Sequence, residues 1–308
     1  SLIKFKKNMK TLKYALIAGF LMLGTCVLAQ KDYTFKVLAA KGSNEIKSGG
    51  AWAPLKTGAS LKQDDEVKLG ENSYVGLVHV SGKPVEVKLA GVHKVSELAN
   101  KVGASTSVLN KYTDFILSSN SAEAKKNRLS ATGAVHRAVE AAPIQLMLPE
   151  NQHSGIYNNV AVINWESTKV AGPYVVTLRN MFDDELARFE TPENTLQIDL
   201  NDPKFATENA ILIEVSSKED AKQASKQHLI KKLTPAEQEK VKVSLSEIMG
   251  DVAEENALNK FILAGFFEQQ NLFIDAIAAY EESIRLAPDV DSYKEGYEEF
   301  LLRHGLKK

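Results

Sequence analysis

A chain of 308 residues is long for one hydrophobic core, so two or three domains are expected. Apolar residues make up 44% and charged residues 25%, which excludes wholesale disorder, and a formal net charge of -1 leaves no basic footprint for nucleic acid.

Lys4, Lys6, Lys7, Lys10 and Lys13 precede an apolar run from Tyr14 to Leu28 that closes on Val27-Leu28-Ala29. This order reads as a secretory signal peptide over residues 1–29, with Met9 as its start, and the run is short for a membrane span. Cleavage after Ala29 removes five lysines and no acids, so 38 basic residues fall to 33 against 39 acidic, a net of -6. Cys26, the only cysteine, lies inside this segment. On an alternative reading Leu23-Gly24-Thr25-Cys26 is a lipid-attachment site, although Thr25 is larger than that processing favours. The expectation is export across the inner membrane to the periplasm, with Cys26 lipidation as the alternative. The mature chain is then held by packing without disulfides and has no membrane-spanning segment.

From Asp32 to about Leu98 apolar residues fall on every second position in short runs, at Tyr33–Leu38, Glu66–Leu69, Tyr74–Val80 and Val85–Leu89. Gly42, Gly49, Gly50, Gly58, Gly70, Gly82 and Gly91 punctuate them, which predicts a small β domain over 30–110. The stretch holding Trp52, Pro54-Leu55-Lys56, Gly58, Leu61, Asp65-Glu66-Val67 and Gly70 resembles the FecR-like domain family. That resemblance implies a periplasmic β module and, in some members, signalling across the inner membrane. Within it Asp64, Asp65 and Glu66 pose a choice between a cation site and a turn. They lack the spacing of a calcium loop, so the turn is expected.

Lys111 to Ala142 changes period. Tyr112, Phe115, Ile116 and the run Ala122–Leu129 predict a helix, broken at Ser130–Gly133, which makes 111–142 a packed appendage and linker. Alternation returns from Ile144 to about Ser217 in six stretches with turns near ten-residue spacing, Asp183-Asp184 marking one hairpin. Trp165 and Tyr174 within that pattern give 143–218 a resemblance to immunoglobulin or fibronectin type III sandwiches.

Thr234-Pro235-Ala236-Glu237 is a capping box with proline at the first helical position, so a helix starts there. Ala257 to Pro288 resembles a tetratricopeptide repeat, with Leu263, Ala264, Phe267, Ala276, Tyr280 and Pro288 at its signature positions. Lys260 and Ser283 depart from that pattern, and no second full copy follows. The expected fold class is therefore multidomain β plus α, ending in a helical module over 233–308. In the repeat family the first helix lines a groove for a partner, which implies partner contacts at Leu258, Phe261, Gly265, Glu268 and Gln269. The alternative is that these residues pack on the helix from Thr234.

Chemistry is sparse along the chain. His79, His93, His136, His153, His228 and His304 have no zinc-ligand spacing, and no phosphate-cradling loop or GxSxG elbow occurs. Trp52 is either a corner filler beside Pro54 or a face for stacking on a sugar ring. The expectation is a non-catalytic exported adaptor of the cell envelope without cofactor or metal, binding envelope or periplasmic proteins. Two alternatives stand beside it, a glycan- or peptidoglycan-associated binding protein and a FecR-like regulatory component.

Overall fold

The computed structural model describes residues 32–103, 106–132 and 142–307. The expected signal segment with Cys26, and His136, lie outside the described residues. The first lobe is built from β1 (Phe35–Lys41), β2 (Asn44–Lys47), β3 (Trp52–Pro54), β4 (Ser60–Leu61), β5 (Glu66–Leu69), β6 (Tyr74–His79), β7 (Pro84–Val87) and β8 (Gly91–Lys94). They form two four-stranded antiparallel sheets, in the orders β4-β1-β6-β7 and β3-β2-β5-β8. Phe35, Val37, Leu61, Val67, Leu69, Val75 and Leu77 fill the space between them. Gly42 turns β1 into β2 at φ +82°, where a Cβ would lie 2.5 Å from the Ser73 hydroxyl.

The acidic stretch is a turn. The Asp65 carboxylate accepts the Lys62 N–H at 2.7 Å, its carbonyl accepts the Val95 N–H at 3.0 Å, and Glu66 pairs with Lys47 at 3.4 Å. The Val95 bond seats α1 (Val95–Asn100) against the lobe, a helix that the alternating pattern did not predict.

The second lobe holds β9 (Gln145–Leu146), β10 (Gly155–Ile156), β11 (Val160–Glu166), β12 (Tyr174–Arg179), β13 (Glu185–Thr191), β14 (Thr195–Asp199), β15 (Ala210–Ser217) and β16 (His228–Lys232). A five-stranded sheet β10-β16-β15-β12-β13 faces a three-stranded sheet β14-β11-β9 across a shared core. Pairing is antiparallel except between β10 and β16. β15 shows the expected alternation, every second residue being buried. The sheet continues past Lys218, where the sequence pattern ends it, because β16 pairs with β15.

The helices are α2 (Asn110–Ser119), α3 (Ala122–Thr132), α4 (Pro235–Val252), α5 (Ala257–Gln269), α6 (Phe273–Leu286) and α7 (Asp291–Arg303). An interruption that the sequence did not mark falls between α2 and α3, where Ser121 caps the new helix by accepting the Ala124 N–H; α3 continues through Ser130 to Thr132, and Gly133 lies outside the described residues. The capping box at Thr234 is formed: its hydroxyl accepts the Glu237 N–H at 3.3 Å and the Glu237 carboxylate accepts the Thr234 N–H at 2.8 Å.

A third core joins these parts. Leu38, Ala39, Tyr74 and Val78 from the first lobe pack with Tyr112 and Ile116 of α2 and with α5, α6 and α7. A register shift in β1 between Val37 and Ala39 makes this possible, since Leu38 and Ala39 then leave the lobe's own core for the helical side. On the other side Ile274 of α6 belongs to the core of the second lobe. The described residues from Tyr33 onward accordingly form one compact unit.

Candidate functional site

The helical hairpin α5–α6 is where the sequence places partner contacts, so its surfaces decide what remains for a partner. Leu258 and Phe261 are 1% exposed, Glu268 is 3% exposed, Gly265 is buried, and Gln269 is exposed. What covers the first four is this chain itself. Ile116 of α2 sits on Gly265, where an added Cβ would come within 2.6 Å of its side chain. Tyr112 meets Phe266 edge-on at 5.2 Å between ring centroids. Phe261 lies under Gly296 of α7 and packs on Tyr280 at 5.6 Å and Tyr293 at 4.9 Å. Leu258 reaches Gly76 of β6. The expected contact face is thus packed against α2, α7 and the first lobe, while α4 adds only Val241, Ile248 and Val252 as buried residues.

α2 is held in place through its N-terminal half. Asn110 donates to the Val80 carbonyl at 2.6 Å, Asp114 pairs with Lys36 at 2.9 Å, and Gln269 donates to the Lys111 carbonyl at 3.5 Å. Gln269, the one exposed member of the expected set, therefore contacts the helix that covers the rest.

Glu268 has a different role from the polar partner contact expected of it. Its carboxylate accepts a two-pronged bond from Arg303, at 2.9 and 3.1 Å, and lies 2.7 Å from the His304 ring. Burial pushes its pKa up, but the hydrogen bonds from His304 and Arg303 outweigh it and hold the group below the usual carboxylate range. This is a neutralised structural ion cluster at the end of α5.

Two polar groups that no sequence motif marked tie α6 and α7 to the second lobe. Asp275, 1% exposed, accepts the Tyr157 and Asn158 N–H groups, each at 2.8 Å. Burial pushes its carboxyl up to about 7, against the pull of those two amides. Asn164 donates to Glu281 at 2.7 Å and to the Tyr297 hydroxyl at 3.0 Å. The visible sign was a lone acid inside the apolar run Leu272-Phe273-Ile274-Asp275-Ala276-Ile277.

A cleft of about 650 Å³ opens where β1, the Thr57-Gly58 turn, α2–α3 and α7 meet. Phe261 and Ile116 line it, with the Lys36–Asp114 and Lys125–Glu299 ion pairs among its walls. Ser292, also in its wall, uses its hydroxyl on the Ala40 backbone at 3.2 Å. Among the described residues no group of three or more His, Cys, Asp or Glu is placed to hold a metal ion.

Trp52 stands half-buried on the outer strand of its sheet, with the Lys47 and Lys68 ammonium groups 5.8 and 5.5 Å from its ring centroid. A sugar stacking there would share or displace those cations. Trp165 is core, packed edge-on against Tyr174 at 5.4 Å. His79 is half-buried against Phe35, and burial lowers its pKa. His153 and His304 pack at a tilt against Phe273, with ring centroids 4.8 and 4.1 Å away. No helix among the described residues is long and apolar enough to cross a membrane.

The sequence matches no protein-family model, and no curated protein matches it.

Proposed function

We propose that this chain is an exported, non-catalytic adaptor of the bacterial cell envelope that presents protein-binding surfaces in fixed relative positions. On this reading the first lobe is a FecR-like module, the second a relative of immunoglobulin or fibronectin type III sandwiches, and α5–α6 a divergent tetratricopeptide-like hairpin. The observation that carries it is the third core. Most of the hairpin's surface is covered by α2, α7 and both β lobes, which gives a frame for holding other surfaces. Gentle crosslinking in envelope extracts followed by mass spectrometry tests it. Reproducible protein partners are expected, and their absence contradicts the reading.

The half-exposed Trp52 favours a second reading, binding to peptidoglycan or another glycan. Sedimentation with purified cell wall, compared with a Trp52→Ala variant, separates the two. Loss of co-sedimentation in the variant supports the glycan reading, and no co-sedimentation of either protein rejects it.

A further inference from the structure

An edge strand of the first lobe, β7, borders a groove that lies apart from Trp52 and takes from the expected α5–α6 contact set only Leu258 in its lining. The His79 backbone N–H donates to the Lys83 carbonyl at 2.8 Å. With Leu77 opposite Val85 and Val75 opposite Val87, that bond sets the phase of the ladder. Val85 and Val87 exchange bonds with β6, whereas Glu86 turns its N–H and C=O to the open edge. Pro84 occupies the same outward phase, where its missing N–H costs no ladder bond.

Across from this edge lie the end of α4 and the start of α5. The basin between them, about 330 Å³, is lined by Pro84, Glu86 and Lys88 on one side and by Asp251, Glu254 and Asn259 on the other. It shares Glu86, Lys88 and Asn256 with a neighbouring basin of about 440 Å³. Most charges of the combined groove are paired: Glu86 with Lys88 at 2.7 Å, Glu255 with Lys260 at 2.8 Å, and Asp289 with Lys41 at 3.3 Å. Among the described residues Asp251 and Glu254 have no ion-pair partner.

Asn259 supplies an independent sign of a ligand. Its side chain is 2% exposed, and its Nδ2 donates to the Glu254 carbonyl at 3.1 Å, which fixes the amide at the wall of the basin. Its Oδ1 has no hydrogen-bond partner. A buried acceptor left unpaired is costly, roughly 1–3 kcal/mol, and because it is enclosed a ligand's donor reaches it only once the side chain turns toward the basin.

We propose that this groove binds an extended, basic segment of a partner protein, which adds a strand to the edge of β7 and directs lysine or arginine side chains at Asp251, Glu254 and Asn259. The free backbone pair of Glu86 supplies the register. The two unpaired carboxylates and the orphan acceptor supply the preference for cationic side chains. The proposal rests on the adaptor reading and names the chemistry of its partner.

The test uses the full exported chain, labelled with ¹⁵N, and a blocked octapeptide alternating valine and lysine. Saturable shifts are expected in the amides of Val85–Lys88 and Asp251–Asn259. The glutamate counterpart of the peptide and a version N-methylated on alternate amides should each bind at least about tenfold more weakly, as should the wild-type peptide to the Asp251→Asn, Glu254→Gln double variant. An unchanged thermal midpoint checks that the double variant folds, and the N-methylated peptide probes the unmodified protein. Equal binding of the glutamate or N-methylated peptide, or shifts confined to another surface, overturns the proposal. If envelope crosslinking finds partners while this groove stays silent, the groove fails and the adaptor reading stands.

Discussion

The helical region meets the two β lobes through junctions that differ in the polar groups they bury. Toward the first lobe the buried contact is mainly apolar: Leu38, Ala39, Tyr74, Gly76 and Val78 meet Leu258, Phe261 and Tyr293, the Tyr74 and Tyr293 hydroxyls bond within it, and the Ser292–Ala40, Lys36–Asp114 and Lys41–Asp289 contacts lie beside it. Toward the second lobe, Ile274 enters that lobe's core and Met147, Tyr157, Val162 and Leu233 pack on the helices, but a buried carboxyl is added: Asp275 on the Tyr157–Asn158 backbone, with Asn164 between Glu281 and Tyr297 and Lys307 beside Glu166 at 3.5 Å. An apolar junction gains from area removed from water and tolerates changes of pH. A buried polar junction fixes orientation and is sensitive to the charge of each member.

The largest break in this comparison is Phe261→Ala, which empties the centre of the apolar junction. Truncating a fully buried phenylalanine costs about 3–5 kcal/mol, read as a lower denaturant midpoint. The polar junction is broken by pH. The Asp275 carboxyl is raised in the folded chain from its ordinary 3.8 to about 7, so its contribution is fully present below about pH 4 and is lost as pH rises through 7. Over that window the loss amounts to roughly 2–4 kcal/mol. Relative to wild type, Asp275→Asn should therefore be most destabilised near pH 5 and least near pH 8. Thermal melts of both proteins across that range cancel the contributions of His79 and His228, whose pKa values are lowered by burial and so act in the opposite direction.

Gly76→Val sharpens the comparison from the other side. An added Cβ lies 3.0 Å from Leu258 and 3.2 Å from the Tyr74 hydroxyl, so overpacking should cost about 1–3 kcal/mol with no dependence on pH between 5 and 8. Phe182→Ser is the smallest change. Phe182 stands 88% exposed at the β12–β13 hairpin tip, whose turn is fixed by the Asn180 side-chain oxygen accepting the Phe182 and Asp184 N–H groups. A shift within about 0.5 kcal/mol in the melting analysis is expected.

The strands and helix starts were legible because they are local. The alternation of β15, the capping box at Thr234 and the Asp65 turn are each written within a few residues. The faces of those elements were not. Tyr74–Val80 reads as alternating, yet from Tyr74 to Val78 every residue of β6 is buried, because helices from elsewhere in the chain cover its outer side. The same blindness applies to the expected contact set. Leu258, Phe261, Gly265 and Glu268 stand at the inward positions of a two-helix pattern, and nothing in residues 257–288 says that α2 and α7 will occupy that side. Asp251, Glu254 and Asn259 acquire a shared basin only when β7, distant in sequence, is laid beside them.

The central claim is that the helical region binds both lobes into a single cooperative body. The two tryptophans provide one reporter each, Trp52 in the first lobe and Trp165 in the core of the second. Biosynthetic incorporation of 5-fluorotryptophan gives two ¹⁹F resonances in an otherwise unchanged chain, followed through a denaturant titration. Loss of both native signals at one midpoint with one slope is the predicted result. Two separated transitions, one lobe unfolding while the other keeps its native resonance, would contradict it.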